Sequence, residues 1–297
     1  MRIFVYPLLI LSCLYQPVLG QEYRIPFQLT EYNNLSVQAI LNRQDTLHLM
    51  FHTAENSVTL TEEAAKKSKS LRFDGLVDSV KSWGGQGNSS RFSKNNALQI
   101  GGLSWEGLTV WEDQHSGRNT DGKFGPNLFV DRVIEIDFDT KMITLRPDLP
   151  DKIGEYEKLK LQVEGHSLYI QATCQIGNDS FTNRFLVHSG YSGAVLLDDQ
   201  FVSDHHLEER LTVVDGKELK DAYGNVLKTR KAIMPGFRIG NGRLADVPVG
   251  FFQGAIGRQK ISVIGGDVLR RFNIIIDARR EYIYLKPNSL QKVAYWS

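Results

Sequence analysis

Two histidines stand in matching surroundings. Phe51-His52-Thr53-Ala54 and Val187-His188-Ser189-Gly190 each read as an apolar residue, a histidine, a small hydroxyl residue and a small residue. Imidazoles brought to one locus have several chemistries open to them. They can satisfy hydrogen bonds in an inert site, or act as polar contacts to a peptide or another ligand. They can each give a lone pair to a divalent ion, for which Glu55 is the nearby third ligand. One of them can act as general base in a hydrolysis. Other histidine patterns read differently. His48 and His52 are four residues apart, but Leu47–Phe51 reads as a strand, where that spacing is about 13 Å, too far to share a zinc ion. His205-His206 lies in the charged segment Ser203 to Arg210 and reads as solvated surface. His115-Ser116-Gly117 follows polar Glu112-Asp113-Gln114 and reads as a loop.

The elements that carry the two turns are copies of each other. Phe124–Pro147 aligns with Ile264–Pro287 at a constant offset of 140, with Gly125/Gly265, Ile134/Ile274, Ile136/Ile276, Asp137/Asp277, Ile143/Ile283, Leu145/Leu285 and Pro147/Pro287 identical. Each copy reads as Gly, short helix, strand, Asp turn, strand and Pro. Upstream, Leu49–Leu60 aligns with Phe185–Leu196 at an offset of 136, and both histidines fall in this pair. Internal repetition in the same order predicts two homologous halves. Short apolar or alternating runs punctuated by Gly, Asn and Asp fill both, so the fold class is all-β. Of the few helical patterns the clearest is Thr61–Lys67, with a Thr cap, acids in its first turn and bases in its last.

Each half resembles one lobe of an aspartic peptidase, in its pepsin-like or retropepsin-like form, and the bacterial two-lobed relatives look closest. In such a lobe an apolar strand ends in Asp-Thr-Gly or Asp-Ser-Gly, and a later apolar-apolar-Gly loop packs beside that turn. Phe124-Gly125 and Val263-Ile264-Gly265 stand at the later loops. The resemblance implies an acid-protease double β-barrel, with two six-stranded lobes and an inter-lobe cleft. It places His52 and His188 at the positions of the family's catalytic Asp pair. It gives Thr53 and Ser189 cross-lobe hydrogen bonds beneath the site, and it makes Ala54, Glu55, Gly190 and Tyr191 candidates for ligand contact. Ala54 departs from the family's Gly. Gly84-Gly85-Gln86-Gly87 falls in the stretch that forms a flap, which puts Gly85 and Gln86 over the groove.

The family's chemistry needs two carboxylates about 3 Å apart sharing one proton. Two imidazoles have the opposite electrostatics, since acid makes both positive. Aspartic-peptidase catalysis is therefore expected to be absent. The expected function is an exported pseudopeptidase that binds an extended peptide or protein in the cleft. The alternative is an atypical hydrolase with a histidine-containing site, metal-assisted through His52, His188 and Glu55. No cofactor is expected.

Composition bounds the rest. The 297 residues are 41% hydrophobic and 23% charged, with 35 Lys+Arg against 34 Asp+Glu. That balance excludes the basic stripe of a nucleic-acid binder. Two cysteines exclude a disulfide scaffold. Arg2, the apolar run Phe4–Leu14 and Val18-Leu19-Gly20 read as a signal peptide over 1–20, giving export to a periplasmic or extracellular space. A competing reading takes Ile10-Leu11-Ser12-Cys13 as a lipobox that would lipidate Cys13. No further apolar run is long enough to span a bilayer. The expected divisions are an N-terminal lobe at 21–147, a linker at 148–159 and a C-terminal lobe at 160–297. Two fused lobes remove the need to dimerise, so a monomer is expected.

Overall fold

The computed structural model describes residues 21–82, 85–113, 119–220, 226–254 and 257–295. The expected signal segment with Cys13, the His115-Ser116-Gly117 loop and Gly84 lie outside the described residues.

The chain is all-β and forms two closed six-strand barrels. In the N-terminal barrel the order is Leu35–Leu41, Asp45–Phe51, Gly122–Phe124, Val58–Thr61, Leu103–Asp113 and Gly85–Ile100. Ile40↔Gln99 and Leu41↔Leu98 close it. In the C-terminal barrel the order is Ser167–Ile176, Asp179–His188, Ser262–Gly265, Val195–Leu196, Gly242–Phe252 and Val226–Ile239. Thr173↔Arg238, Cys174↔Phe237 and Gln175↔Gly236 close that one. Strand for strand, the two orders are the same. Closure leaves the barrel strands with paired edges and a filled interior. Alternation shows this in Leu35–Leu41, where Val37, Ala39 and Leu41 point inward while Gln38 and Ile40 are exposed. Cys174 is free and buried in the C-terminal barrel, where desolvation pushes its thiol up to about 12.

A third sheet joins the barrels. Its antiparallel order is Glu157–Lys160, Tyr282–Pro287, Phe272–Ile276, Val133–Asp137, Met142–Arg146 and Tyr23–Leu29. At its centre Ile134 pairs with Ile276, Glu135 with Ile275 and Ile136 with Ile274. Given the repeat offset of 140, Ile134 faces the copy of Ile136, Ile136 faces the copy of Ile134, and Glu135 faces its own copy, the self-complementary register of a two-fold interface. The strand Glu157–Lys160 starts inside the segment expected to be linker, so the connector proper includes only the short 3-10 turn Asp151–Glu155 before it.

The local readings have physical counterparts. Thr61 caps the helix Glu62–Lys67, its hydroxyl accepting from Ala64 N, and Ala64 and Ala65 face the core. The short helices Pro126–Phe129 and Gly266–Leu269 sit one repeat apart, followed by the matching hairpins. His205 corrects one expectation. It is not freely solvated: its ring lies 4.4 Å from Phe181 and 4.8 Å from Phe201 between centroids, and only His206 is exposed. Among the described residues no helix is long and apolar enough to cross a membrane.

Candidate functional site

The histidines meet where the barrels face each other. Asp45–Phe51 delivers His52 and Asp179–His188 delivers His188, each strand pairing in parallel with its later loop, through Phe51↔Phe124 and His188↔Gly265. The imidazole centroids are 4.5 Å apart at an interplanar angle of 62°.

Beneath the rings lies a reciprocal latch. Thr53 Oγ1 donates to Val187 O at 2.6 Å and Ser189 Oγ donates to Phe51 O at 2.8 Å. Ser189 N donates to Thr53 Oγ1 at 3.0 Å, and Thr53 N to Ser189 Oγ at 3.0 Å. Each hydroxyl thus both donates to and accepts from the opposite lobe. Thr53 and Ser189 are both 2% exposed, which makes these cross-lobe bonds costly to lose.

The glycines kept in the repeat have a steric reason. A Cβ at position 125 would stand 1.8 Å from Glu55 O. A Cβ at position 265 would stand 2.1 Å from Gly193 O and 2.7 Å from Tyr191 O. The later loops therefore press against the turns that follow each histidine. Gly190 answers to the site itself, because a Cβ there would lie 2.2 Å from His52 Cδ2 and 2.4 Å from His52 Nε2. His52 lies across the glycine of the opposite lobe, and the Ala54 that departs from the family pattern is half-buried against the C-terminal lobe. Gly190→Ala is expected to displace the His52 ring and cost about 1 to 3 kcal/mol, the usual penalty of overpacking. Imidazole NMR shifts and denaturant unfolding check it, with Ala54→Gly as the variant that leaves the ring in place.

Burial holds both imidazoles neutral. Desolvation, then the nearby His188 and Lys123, pushes His52 well below the usual histidine range. Desolvation likewise lowers His188 to about 4. Ala54 N donates to His52 Nδ1 at 3.1 Å, so the neutral His52 ring carries its proton on Nε2. His188 Nδ1 is buried and has no hydrogen-bond partner among the described residues.

Glu55 does not complete a metal triad. Its Oε1 accepts from Asn56 N, Ser57 N and Ser57 Oγ at 2.9, 3.1 and 2.7 Å. Its Oε2 pairs with Lys123 Nζ at 3.1 Å, and Lys123 also pairs with Asp113 at 2.9 Å. Among the described residues no three His, Cys, Asp or Glu side chains converge as a metal site. The proton on His52 Nε2 also removes the lone pair that a metal would need there. His48 is remote in role, exposed and lining a separate depression with Gln28, Ser36, Thr61 and Asp121 on the N-terminal barrel.

Lys123 is a site residue that sequence reasoning missed. Burial alone would lower its ammonium, but Glu55 and Asp113 carry it above the usual lysine range. A signal was present, since Lys123 stands one repeat offset before Val263, a charge where the other copy carries an apolar residue. Tyr191 is half-buried, packed on Gly193 and Gly265, and burial pushes its phenol up to about 12. Gly85 and Gln86 begin the returning strand of the hairpin Gly75–Ser82/Gly85–Ile100, where Ser82 pairs with Gly85. The C-terminal half carries a counterpart hairpin, Thr212–Lys220/Val226–Ile239, which the sequence reading overlooked. Carrying the 84–87 turn forward by the repeat offset would have found it.

No protein-family model matches this sequence, and no curated protein is similar to it.

Proposed function

We propose that this chain is an aspartic-peptidase-like protein without acid-peptidase catalysis, whose inter-lobe cleft binds an extended peptide or protein segment. The observation that carries the reading is the His52–His188 pair, seated on symmetric turns and locked by Thr53 and Ser189. The scaffold that would align two carboxylates is kept, and neutral imidazoles occupy their place. There is no shared-proton carboxylate pair to polarise a water. What the site offers instead is a neutral imidazole with its donor at His52 Nε2, beside a His188 whose Nδ1 is buried. A donor of this kind suits a carbonyl of an extended backbone.

A histidine-based hydrolase has less support. An imidazole held at about 4 is a weak general base near neutral pH. Metal assistance would need Glu55 and His52 to abandon the partners described above.

The test is an extended-peptide library scored for both retention and cleavage between about pH 3 and 7. Peptides are expected to be retained and left intact. Cleavage in the acid range, blocked by a statyl-type inhibitor, would overturn the proposal.

A further inference from the structure

Arg271 is a cation buried away from the histidine pair, 1% exposed. A buried guanidinium is tolerated only when its donors are met. Asp267 meets some of them, its backbone O accepting from Arg271 Nε at 2.9 Å and its Oδ1 from Nη2 at 3.4 Å. Residues 288–295 meet the rest by crossing the guanidinium as a strap. Leu290 O, Gln291 O and Val293 O accept from Arg271 Nη1 at 3.3, 2.9 and 2.7 Å. The Tyr295 ring lies 3.7 Å from the guanidinium carbon. Arg270 adds a bond from Nη2 to Ala294 O at 3.2 Å, and its Nε donates to Asp267 Oδ1 at 2.9 Å. The strap runs in turns rather than in a strand, with Gln291 N on Asn288 O and Val293 N on Leu290 O. Its path is therefore fixed largely by the two arginines.

The helix that carries Asp267 also seats His188. Gly265 N donates to Ala194 O at 2.8 Å, Gly266 N to Tyr191 O at 2.7 Å and Asp267 N to Gly193 O at 3.3 Å. Those carbonyls belong to the turn that follows His188, whose own O accepts from Tyr191 N at 3.1 Å. Gly265 is also the strand partner of His188. Printed bonds thus run without a break from the strap to the histidine. The N-terminal half has the seat without the clamp. At the repeat offset of 140, Asp267, Arg270 and Arg271 correspond to Asn127, Val130 and Asp131, and Val130 is 66% exposed.

We propose that the strap 288–295 is a conformational device for one half of the site: by clamping Arg270 and Arg271 it holds Asp267 and the helix Gly266–Leu269 against the turn behind His188, and its release loosens His188 while His52 stays seated. This goes beyond the peptide-binding reading and stands without it. Lys292, Val293 and Ala294 are exposed, so the strap lies on the outside of the molecule and lifts without opening either barrel. Coupling of this kind is carried by a contiguous chain of bonds between rigid elements.

The experiment is amide hydrogen exchange and imidazole NMR on wild type, Tyr295→Ala and Tyr295→Phe. Tyr295 is half-buried and distant from the barrel closures, so both variants keep the fold. Tyr295→Ala is expected to speed exchange at Gly265, Gly266 and Tyr191 about tenfold, the equivalent of one cation–π contact, and to move the His188 imidazole signals. Glu55 N, which donates to His52 O at 3.1 Å as the N-terminal counterpart of Tyr191 N, is expected to keep its rate. Tyr295→Phe keeps the ring and is expected to stay within about twofold of wild type throughout. No rise outside the strap, an equal rise at Glu55, or a rise in Tyr295→Phe as large as in Tyr295→Ala overturns the proposal.

Discussion

Taking the protein from neutral pH to pH 4 is expected to remove up to about 3 kcal/mol of folding stability through His188 alone. In the folded chain His188 is lowered by burial from 6.5 to about 4. The unfolded chain therefore takes up a proton as pH falls through 6.5, while the folded chain refuses it until about 4. Across that window the unfolded state binds more protons, so stability declines as acid is added and levels off below the folded value. His52 is shifted in the same direction, also by burial first, and adds to the loss. Denaturant unfolding at a series of pH values measures the slope. His188→Gln and His52→Gln are each expected to flatten it between about pH 4 and 6.5. An unchanged slope in both variants would assign the acid sensitivity elsewhere. The direction matters for function, because a carboxylate pair sharing a proton is made for acid and this pair is not.

The second large effect lies in the latch. Thr53→Val keeps side-chain volume but removes the hydroxyl, stranding Val187 O and Ser189 N in a buried place. Ser189→Ala strands Phe51 O and Thr53 N in the same way. Each is expected to cost about 2 to 4 kcal/mol, since two buried backbone groups lose partners. The double variant is expected to cost less than the sum by about 0.5 to 3 kcal/mol, because once one half opens the other half has little left to hold. Urea unfolding of the four proteins of the cycle measures the coupling. Strict additivity would mean that the two hydroxyls act separately and that the lobes are aligned by something else.

Much of this architecture was legible because both halves obey the same local constraints. Gly125 and Gly265 recur because a backbone carbonyl presses on each, and the isoleucines of Val133–Asp137 and Phe272–Ile276 recur because both strands are buried in one sheet. Those demands are local, and repetition makes them visible. The readings that failed involve partners distant in sequence. Lys123 drew no reading at all, and only the structure sets Glu55 and Asp113 around it. Glu55 looks like a free cleft carboxylate until its ring of Ser57, Asn56 and Lys123 is known. His205 looks solvated until Phe181 and Phe201 close on it. In each case one deciding neighbour, Glu55 for Lys123, Lys123 for Glu55 and Phe181 for His205, comes from another segment of the chain and leaves no periodic mark nearby.

The central sheet carries a consequence for the order of assembly. Every pairing that closes the N-terminal barrel lies within residues 35–124, and every one that closes the C-terminal barrel lies within 167–265. Only the sheet between them joins Ile134 to Ile276, across nearly half of the chain. Pairings of long sequence separation are the slowest to form. As the chain leaves the ribosome, the N-terminal barrel has all its strands before Phe272–Ile276 exists, so His52 is in place on a finished lobe long before His188 arrives. The seam between the lobes is thus the last part of the molecule to be built, and a nascent chain presents half of the histidine site, latch hydroxyl uncovered, for as long as translation of the second half takes.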